Sequence, residues 1–371
     1  MIIGILKEIK EQENRVAMTP AGVEVMVANG HTVCVEQSAG RASGFDDETY
    51  TRAGAQVLAS PEAIYADAEM VMHVKEPQPS EYGLIREDQI VFTYFHFAAY
   101  EGLVQAFAQS RGIALAYETI EDSAGRLPLL TPMSEVAGRM AVQEAAKYLE
   151  RTQGGRGILL GGVTGVAPAT VLILGGGTVG TQAALMATGL GAQVYLLENN
   201  LERLRYLSAI MPKNCIPLMA SPALIREKIS TADAVIGAVL LPGAKAPKLV
   251  SREMIRTMKT GAVVVDVAID QGGCFETSKP TTHDDPVYEV EGVLHYCVSN
   301  MPGAVPITST MALTNATLPY ALAIANGGLL EAARETPGMQ KGLNIVRGHI
   351  TCKGVAEAFG LDYTPVEKAF Y

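Results

Sequence analysis

The chain has 371 residues, of which 48% are hydrophobic and 18% are charged, and its formal net charge at pH 7 is −10. This length exceeds what one core usually supports and predicts a globular protein with two domains. The negative charge argues against nucleic acid or an anionic membrane surface as a partner. Two long segments without charged residues, 157–197 and 292–330, are broken by glycines, prolines and hydroxyl residues, so we interpret them as buried core rather than membrane spans.

The N-terminal sequence and the cysteines indicate in which cellular compartment the protein resides. The first ten residues, MIIGILKEIK, lack a basic region followed by a long apolar one, so we predict no signal peptide and a cytoplasmic protein. The five cysteines are scattered without CxxC spacing, which fits reduced thiols. None of the six histidines forms a pair with metal-ligand spacing, and we expect no metal site.

The first part of the chain alternates apolar runs with helical patterns, which predicts a parallel α/β arrangement. Thr19 as N-cap, Pro20 at the first helical position and Gly30 as C-cap mark its first helix. The predicted strands are Ile2–Leu6, Thr32–Val35, Met70–Val74, Ile90–Tyr94 and Ile113–Tyr117.

A second α/β series follows a helix that we predict over Ser134–Arg151, with Ser134 as its N-cap. A later helix, Thr308–Asn326, has no charged residue, which predicts burial nearly all round and a place between two domains. The sequence therefore predicts two doubly wound parallel-sheet α/β domains joined by long interdomain helices, residues 1–133 with 306–371, and residues 134–305. The six strands predicted for the second domain are Val171–Leu174, Val194–Glu198, Asn214–Pro217, Ala234–Ala238, Ala262–Val267 and Val293–Val298.

The segment Val171–Gly180, VLILGGGTVG, carries the GxGxxG spacing of a Rossmann dinucleotide-binding turn between a strand and a helix. Gly175 permits the tight turn, Gly177 lets the backbone approach a pyrophosphate, and Gly180 lets the helix pack close to the strand. Glu198, at the end of the next strand, can accept hydrogen bonds from both ribose hydroxyls and would repel a 2′-phosphate. The predicted cofactor is therefore NAD rather than NADP. An ordinary strand, turn and helix with a solvated glutamate is the alternative.

Four polar residues at predicted loops or strand ends are candidates for substrate chemistry. Arg15 precedes the first helix and can grip a carboxylate bidentately. Lys75 and Asp270 follow strands, at the carboxyl ends where α/β folds bind ligands, and His96 follows a strand among aromatic residues. Strand alternation over 263–270 predicts Asp270 on one face together with Asp266 and Ala268.

Each candidate also has an ordinary structural alternative. Arg15 can be a solvated loop residue, and Lys75 can be a surface residue paired with Glu76. His96 can be a core residue with satisfied hydrogen bonds, and Asp270 can make only turn hydrogen bonds. The residues taken singly leave these alternatives open.

Six segments spread along the chain closely resemble L-alanine dehydrogenase: ENRVAMTP at 13–20, VKEP at 74–77, GGGTVG at 175–180, AVLLPGAKAP at 238–247, VDVAIDQGGCFE at 265–276 and YCVSNMPGAVP at 296–306. The resemblance implies reversible NAD-dependent deamination of L-alanine to pyruvate and ammonia. It implies that Arg15 binds the pyruvate carboxylate, Lys75 contacts the carbonyl oxygen, and His96 and Asp270 form the catalytic pair. It also implies a homohexamer.

The same resemblance implies a set of NAD contacts. Four of these positions depart from what we expect of the family, with Glu198 for aspartate, Arg203 for lysine, Lys279 for arginine and Ala220 for serine, whereas the substrate-side residues are intact. The full set is Ser134, Gly175, Gly177, Thr178, Val179, Gly180, Glu198, Arg203, Ala220, Val239, Leu240, Val267, Ala268, Ile269, Asp270, Lys279, Val298, Ser299, Asn300 and Met301.

Two other protein classes share part of this pattern. The NAD-binding component of a proton-pumping transhydrogenase is similar in the RVAxTP and glycine motifs, but it needs no alanine site, so His96 and Asp270 together argue against it. A dehydrogenase for a larger substrate, such as saccharopine, is the other alternative. The chain length and the PGAKAP and CVSNMP segments favour alanine.

Overall fold

The structure of the protein is a computed structural model that describes residues 1–239 and 246–370. The strands are β1 Ile2–Ile5, β2 Thr32–Glu36, β3 Gln56–Leu58, β4 Met70–Met72, β5 Ile90–Thr93, β6 Ile113–Ala116, β7 Thr170–Leu174, β8 Gln193–Glu198, β9 Cys215–Met219, β10 Ala234–Gly237, β11 Val263–Asp266, β12 Val287–Val290, β13 Val293–Tyr296, β14 Leu343–Val346 and β15 His349–Ile350.

The helices lie between these strands. They are α1 Pro20–Ala28, α2 Asp47–Arg52, α3 Pro61–Asp67, α4 Glu101–Ser110, α5 Thr131–Tyr148, α6 Thr178–Gly189, α7 Leu201–Ile210, α8 Pro222–Ile229, α9 Arg252–Arg256, α10 Pro306–Gly327, α11 Leu329–Glu335, α12 Lys353–Phe359 and α13 Val366–Ala369. The described part of the chain contains no helix with the length and apolar character needed to cross a bilayer.

The chain divides into two compact units, and the first comprises Met1–Met133 and Val305–Tyr371. Its sheet has the strand order β15-β14-β6-β5-β4-β1-β2-β3. Strands β1 to β6 are parallel to their neighbours, whereas β14 is antiparallel to β6 and β15 to β14. The six parallel strands follow the doubly wound order 3-2-1-4-5-6, with the topological switch point between β1 and β4.

The second unit, Ser134–Ala304, has its own sheet in the order β12-β13-β11-β10-β7-β8-β9. Its parallel strands again follow the order 3-2-1-4-5-6, with the switch point between β7 and β10. The prediction of six strands was one short, because β12 pairs antiparallel with β13 at the edge. Glu291 and Gly292 join the two strands, and both have positive φ, as a tight hairpin turn requires.

Helix α1 matches its prediction except at its end. The Thr19 side chain accepts a hydrogen bond from the Gly22 amide at 3.2 Å, and Pro20 is the first helical residue. The C-cap is Asn29, so Gly30 lies one residue later, where its φ of +85° is the left-handed conformation that favours glycine.

Several predicted boundaries differ from the structure, and three of the differences bear on site residues. Helix α5 begins at Thr131, so Ser134 lies inside its first turn and is not the N-cap, because Pro132 is tolerated at a helix start. Strand β4 ends at Met72, before Lys75. Strand β11 ends at Asp266, and a 3-10 helix over Val267–Gln271 follows it. Asp266, Ala268 and Asp270 therefore do not share one face of a strand.

Helix α10 is longer than predicted and is not buried all round. Leu313 and Ile324 are buried, but Ile307 and Met311 are 54% and 52% exposed. On the buried side, the Thr310 and Thr314 hydroxyls accept hydrogen bonds from the main-chain amides of Val16 and Thr19, at 3.1 and 3.2 Å. The helix thus fixes the loop that follows β1 in the first unit.

Candidate active site

Three predicted substrate-side residues follow strands that lie next to one another in the first sheet. Arg15 lies in the loop after β1, Lys75 in the loop after β4, and His96 in the loop after β5. The carboxyl ends of parallel strands meet at the same edge of a sheet, and ligands of doubly wound folds bind there at the switch point. The fold therefore brings Arg15, Lys75 and His96 to one edge of the first unit.

Arg15 is buried rather than solvated, with only 2% of the residue exposed. Its Nε and Nη2 donate to the two carboxylate oxygens of Glu13 at 2.7 and 2.5 Å, and its Nη1 lies 3.0 Å from the Met133 sulfur. Burial alone disfavours the charged form, but the Glu13 carboxylate outweighs it and the pKa of Arg15 is raised. The guanidinium is thus held charged and in a fixed orientation.

The loop that carries Lys75 is fixed by a buried carboxylate. Glu8 accepts the amide hydrogens of Val74 at 2.6 Å and Lys75 at 3.3 Å, and it lies 3.2 Å from the buried His73 ring. Glu81 lies 3.2 Å from the other His73 nitrogen. Burial alone lowers the pKa of His73, but Glu81 and Glu8 together raise it to about 10, so the ring is charged near pH 7.

His96 has an unusual backbone conformation, left-handed with φ 51° and ψ 36°. The Glu118 carboxylate stabilises this turn, since its Oε1 accepts the main-chain amides of His96 at 2.7 Å and Phe95 at 3.1 Å. Burial raises the pKa of Glu118 to about 7, although these two donors favour its charged form. Glu118 follows β6, the next strand in the sheet.

The His96 ring is placed to act as a base. Its side chain is 37% exposed, and the partial loss of water around the ring, together with the positive charges of Lys75, Lys10 and Arg15, lowers the pKa of His96 well below its usual value. A hydrogen bond with the Tyr94 main chain works in the opposite direction and is outweighed. The imidazole is therefore neutral at pH 7 and can accept a proton.

The glycine turn of the second unit has the geometry of a phosphate site. Gly175 has φ +102°, and a Cβ atom on Gly180 would lie 1.8 Å from the Gly175 carbonyl oxygen. Gly177 is the N-cap of α6 and supplies no side-chain acceptor. A Cβ atom on Gly177 would meet nothing within 4 Å. Open space thus lies beside the helix start, whose first amides have no partner within the helix, and this fits a bound phosphate group.

Glu198 and Arg203 both contact this turn. Glu198 accepts the Gly176 amide hydrogen at 2.8 Å through Oε2, and its Oε1 accepts the two amides that follow it in the chain, at 2.8 and 2.9 Å. Arg203 donates to the Gly176 carbonyl oxygen at 2.7 Å and to the Thr181 hydroxyl at 2.8 Å. Both side chains therefore lie beside the glycine turn.

Asp270 is exposed, in the 3-10 helix after β11. A buried neighbour shapes this loop, because the Asp266 carboxylate accepts hydrogen bonds from the Ala268 amide at 3.1 Å, the Cys274 amide at 2.9 Å and the Ser278 hydroxyl at 2.5 Å. Burial raises the pKa of Asp266, whereas these three donors work in the opposite direction.

The other predicted cofactor residues are distributed over the second unit. Ala220 donates its amide to the Glu198 carbonyl oxygen at 2.9 Å, and the Lys279 ammonium lies 4.3 Å from the centre of the Tyr288 ring. Asn300 has a left-handed backbone with φ 62°. Leu240 lies outside the described residues. The remaining positions are partly buried or buried: Ser134, Thr178, Val179, Val239, Val267, Ala268, Ile269, Val298, Ser299 and Met301.

Comparison with known proteins identifies the family. The model for the alanine dehydrogenase/PNT N-terminal domain matches residues 4–137, and that for the C-terminal domain matches residues 141–353. The chain belongs to the alanine dehydrogenase/PNT family. Alanine dehydrogenase from Methanococcus maripaludis is 53% identical over 370 residues, which cover 100% of this chain and 99% of that protein.

Solved structures of the family have the same fold. An L-alanine dehydrogenase matches with a TM-score of 0.93 and 50% identity, over 97% of this chain and 99% of the other. A transhydrogenase from Sinorhizobium meliloti matches with a TM-score of 0.83 and 25% identity, over 94% and 100%. The predicted α/β fold with a Rossmann domain, and the resemblance to L-alanine dehydrogenase, are confirmed.

Sequence reasoning missed three acids at the edge of the first sheet, two of them buried and one, Glu118, partly buried. Glu8, Glu76 and Glu118 follow β1, β4 and β6, and all three contact the loops that carry Lys75 and His96. The rule that selected Lys75, a polar residue just past the carboxyl end of a strand, would also have selected these three.

Proposed function

We propose that the protein catalyses the reversible NAD-dependent deamination of L-alanine to pyruvate and ammonia, which serves alanine catabolism in one direction and reductive amination in the other. The observation that carries this proposal is the cluster of Arg15, Lys75 and neutral His96 at one sheet edge, in a chain 53% identical along its length to an alanine dehydrogenase. In this proposal the first unit is the substrate domain and the second is the NAD-binding domain.

The second unit supports NAD as the cofactor. The open space beside Gly177 and the uncapped start of α6 fit the pyrophosphate, and Glu198 fits the ribose hydroxyls. When bound, the nicotinamide accepts or supplies the hydride. The further NAD contacts that we propose are Ser134, Thr178, Val179, Arg203, Ala220, Val239, Val267–Asp270, Lys279 and Val298–Met301.

The residues of the first unit have complementary charges for an amino acid and its keto acid. Arg15 binds the substrate carboxylate, and Glu13 holds the guanidinium in place for it. Lys75, as a cation, polarises the pyruvate carbonyl oxygen for attack by ammonia. Asp270 belongs to the second unit, and we propose that it binds the amino group as an anion.

His96 moves the protons in this mechanism. In the deamination direction, neutral His96 accepts a proton from the water that adds to the imino acid, and the resulting carbinolamine then releases ammonia. In the reverse direction, protonated His96 returns a proton to the departing hydroxyl, so that water leaves. The low pKa of His96 supports its role as the base, because the neutral ring is the form present at pH 7.

A two-substrate assay tests this function. Absorbance at 340 nm should fall only when NADH, pyruvate and ammonium are all present with the purified protein. Omission of either pyruvate or ammonium is the control, and glyoxylate and larger 2-oxo acids test the size of the substrate. If no NADH is consumed with all three components at any pH between 6 and 10, the protein is not an alanine dehydrogenase.

The preference for NAD depends on Glu198 in this proposal. Glu198→Gln keeps an oxygen acceptor for the Gly176 amide but removes the charge that repels a 2′-phosphate, and it leaves the Arg203 cation beside the turn. A like charge at a binding site costs several kcal/mol. We therefore expect the kcat/KM ratio of NADPH to NADH to rise by about tenfold or more, since tenfold corresponds to about 1.4 kcal/mol.

Glu202→Gln is the matched control for this substitution. Glu202 lies in the first turn of α7, and its side chain is 79% exposed. Its replacement therefore removes one negative charge from the same helix without removing a contact with the glycine turn. The control should keep the wild-type preference. A Glu198→Gln enzyme that still rejects NADPH would show that another group selects the cofactor.

We also propose a cytoplasmic homohexamer, as the family resemblance implies. The segment around Leu159, Val163 and Val166 supports association, since these apolar side chains are 65%, 60% and 63% exposed. All five cysteines are free thiols, which fits a reducing compartment. Light scattering in solution measures the number of chains directly.

A further inference from the structure

Glu76 is a buried acid, and one of its carboxylate oxygens accepts no hydrogen bond from the described residues. Only 5% of the residue is exposed. Its Oε1 forms an ion pair with the Lys10 ammonium. Its Oε2 is buried and has no hydrogen-bond partner among the described residues. This second oxygen lies 3.9 Å from Nδ1 of His96.

The distance has a specific chemical meaning. At 3.9 Å, Oε2 is too far from Nδ1 for a hydrogen bond, so the neutral ring leaves the carboxylate oxygen unsatisfied. A buried carboxylate oxygen without a donor is less stable than one that accepts a hydrogen bond. Protonation of the ring makes both nitrogens donors, and a small movement then forms a charge-assisted bond between Glu76 and His96.

We propose that Glu76 is a positioning residue for His96. Once the ring has taken a proton at Nε2, the Glu76 carboxylate accepts a hydrogen bond from Nδ1–H and thereby directs Nε2 to the substrate. The inference rests on the proposed function, in which His96 accepts and returns a proton. The proton enters and leaves through Nε2, and none is transferred to Glu76. Glu76 thus stabilises the imidazolium without taking part in a covalent step.

The charges around His96 explain why such a group is needed. Three cations oppose protonation of the ring. The Glu118 carboxylate is bound to the main chain of the same turn and not to the ring. The two elements that pack against this turn, α4 and α12, add the charged residues Glu101, Lys353 and Glu357. Glu76 is the carboxylate whose free oxygen faces the imidazole.

Glu76→Gln tests the proposal because it keeps the size of the side chain and removes its charge. Loss of an opposite charge at this distance should lower the pKa of His96 by about one pH unit or more. The acid limb of alanine oxidation and the alkaline limb of pyruvate amination should therefore both move to lower pH. We expect kcat to fall by about tenfold or more, with the KM for pyruvate unchanged, because Arg15 and Lys75 remain. A purely structural role would not move both limbs in the same direction.

A second measurement follows the protonation of His96 and does not depend on enzyme turnover. Diethyl pyrocarbonate modifies only the neutral imidazole, so the pH at which modification of the His96 peptide is half-maximal, followed by mass spectrometry, reports the protonation of the ring. This midpoint should fall in Glu76→Gln and return towards the wild-type value in Glu76→Asp, which keeps the charge. Glu101→Gln is the matched control, an exposed acid at the start of the neighbouring helix α4, and it should keep the wild-type midpoint.

The outcomes separate this inference from the proposed function. A wild-type protein without two-substrate activity would reject the function, while the modification midpoints would still decide the part played by Glu76. An unchanged midpoint in Glu76→Gln would overturn the inference even in an active enzyme. An equal fall of the midpoint in Glu101→Gln would also overturn the inference, because any nearby negative charge would then have the same effect on His96.

Discussion

Replacement of His96 by asparagine is expected to lower kcat by about 10²–10⁴-fold in both reaction directions, while NADH binding and thermal stability stay at wild-type values. Asparagine is chosen because it tolerates the left-handed backbone that His96 adopts at φ 51°, so the turn held by Glu118 is kept. The substitution removes only the group that accepts the proton. Steady-state kinetics, NADH fluorescence titration and thermal unfolding measure the three quantities.

The pH profile makes this expectation sharper. Since the pKa of His96 is well below 6.5, the neutral base is present at pH 7 and is lost only as the pH falls through that low value. Wild-type alanine oxidation should therefore keep its rate at pH values below 6.5 and fall only as the pH approaches the lowered pKa of His96. The asparagine variant should lack this limb. His349→Asn is the control, an exposed histidine in β15 of the same sheet, and it should be fully active.

Equal rates for His96→Asn and wild type would remove His96 from the mechanism. The second member of the proposed pair has a parallel test in Asp270→Asn, which keeps the shape of an exposed side chain. That variant should also lose kcat and keep NADH binding. Loss of NADH binding alone would instead make Asp270 a cofactor contact.

Burial explains part of which strands the sequence could predict, although the buried strand β14 was also missed. Strands β7, β10 and β11 are buried on both faces, and such strands are continuous apolar runs in the sequence. Strands β3 and β12 are only partly buried. They pair with one neighbour at a sheet edge, so no apolar run marks them.

The misplaced strand ends have a common physical cause. Val74 is as buried as the strand before it, so the apolar pattern continues past the end of β4. The Val74 amide, however, donates to the Glu8 carboxylate at 2.6 Å instead of extending the ladder. The Ala268 amide donates to Asp266 at the end of β11 in the same way. Strand β4 is ended by a side chain distant in sequence, and β11 by the side chain of its own last residue. The periodicity of apolar residues does not show either hydrogen bond.

The candidate site was only partly predictable for a related reason. Local sequence could place Arg15 near a helix start, but it left open whether the arginine was solvated. The fold resolved this, since Arg15 is 2% exposed and paired with Glu13. The roles of Lys75 and His96 came from the family resemblance. The acids around them also follow strands, but which loops they contact depends on the sheet order that brings separate loops to one edge.

Substitution of Gly180 by alanine is expected to lower both the stability of the fold and the affinity for NADH. A Cβ atom at this position would lie 1.8 Å from the Gly175 carbonyl oxygen, which belongs to the main chain and has no rotamer to change. The start of α6 must therefore move away from β7. Overpacking of this kind costs about 1–3 kcal/mol or more. The displaced helix start would also weaken pyrophosphate binding, by about tenfold for each 1.4 kcal/mol lost.

Two other glycines of the same turn and helix separate these effects. Gly177→Ala meets no atom within 4 Å and has φ −66°, so its melting temperature should be unchanged, but its methyl group would occupy the space proposed for the pyrophosphate and should raise the Kd for NADH. Gly189→Ala, at the end of α6, also meets no atom within 4 Å and should change neither quantity. Calorimetry with and without NADH measures both. Wild-type NADH affinity in Gly177→Ala would place the cofactor away from this turn, because a methyl group beside a bound pyrophosphate cannot leave its contacts intact.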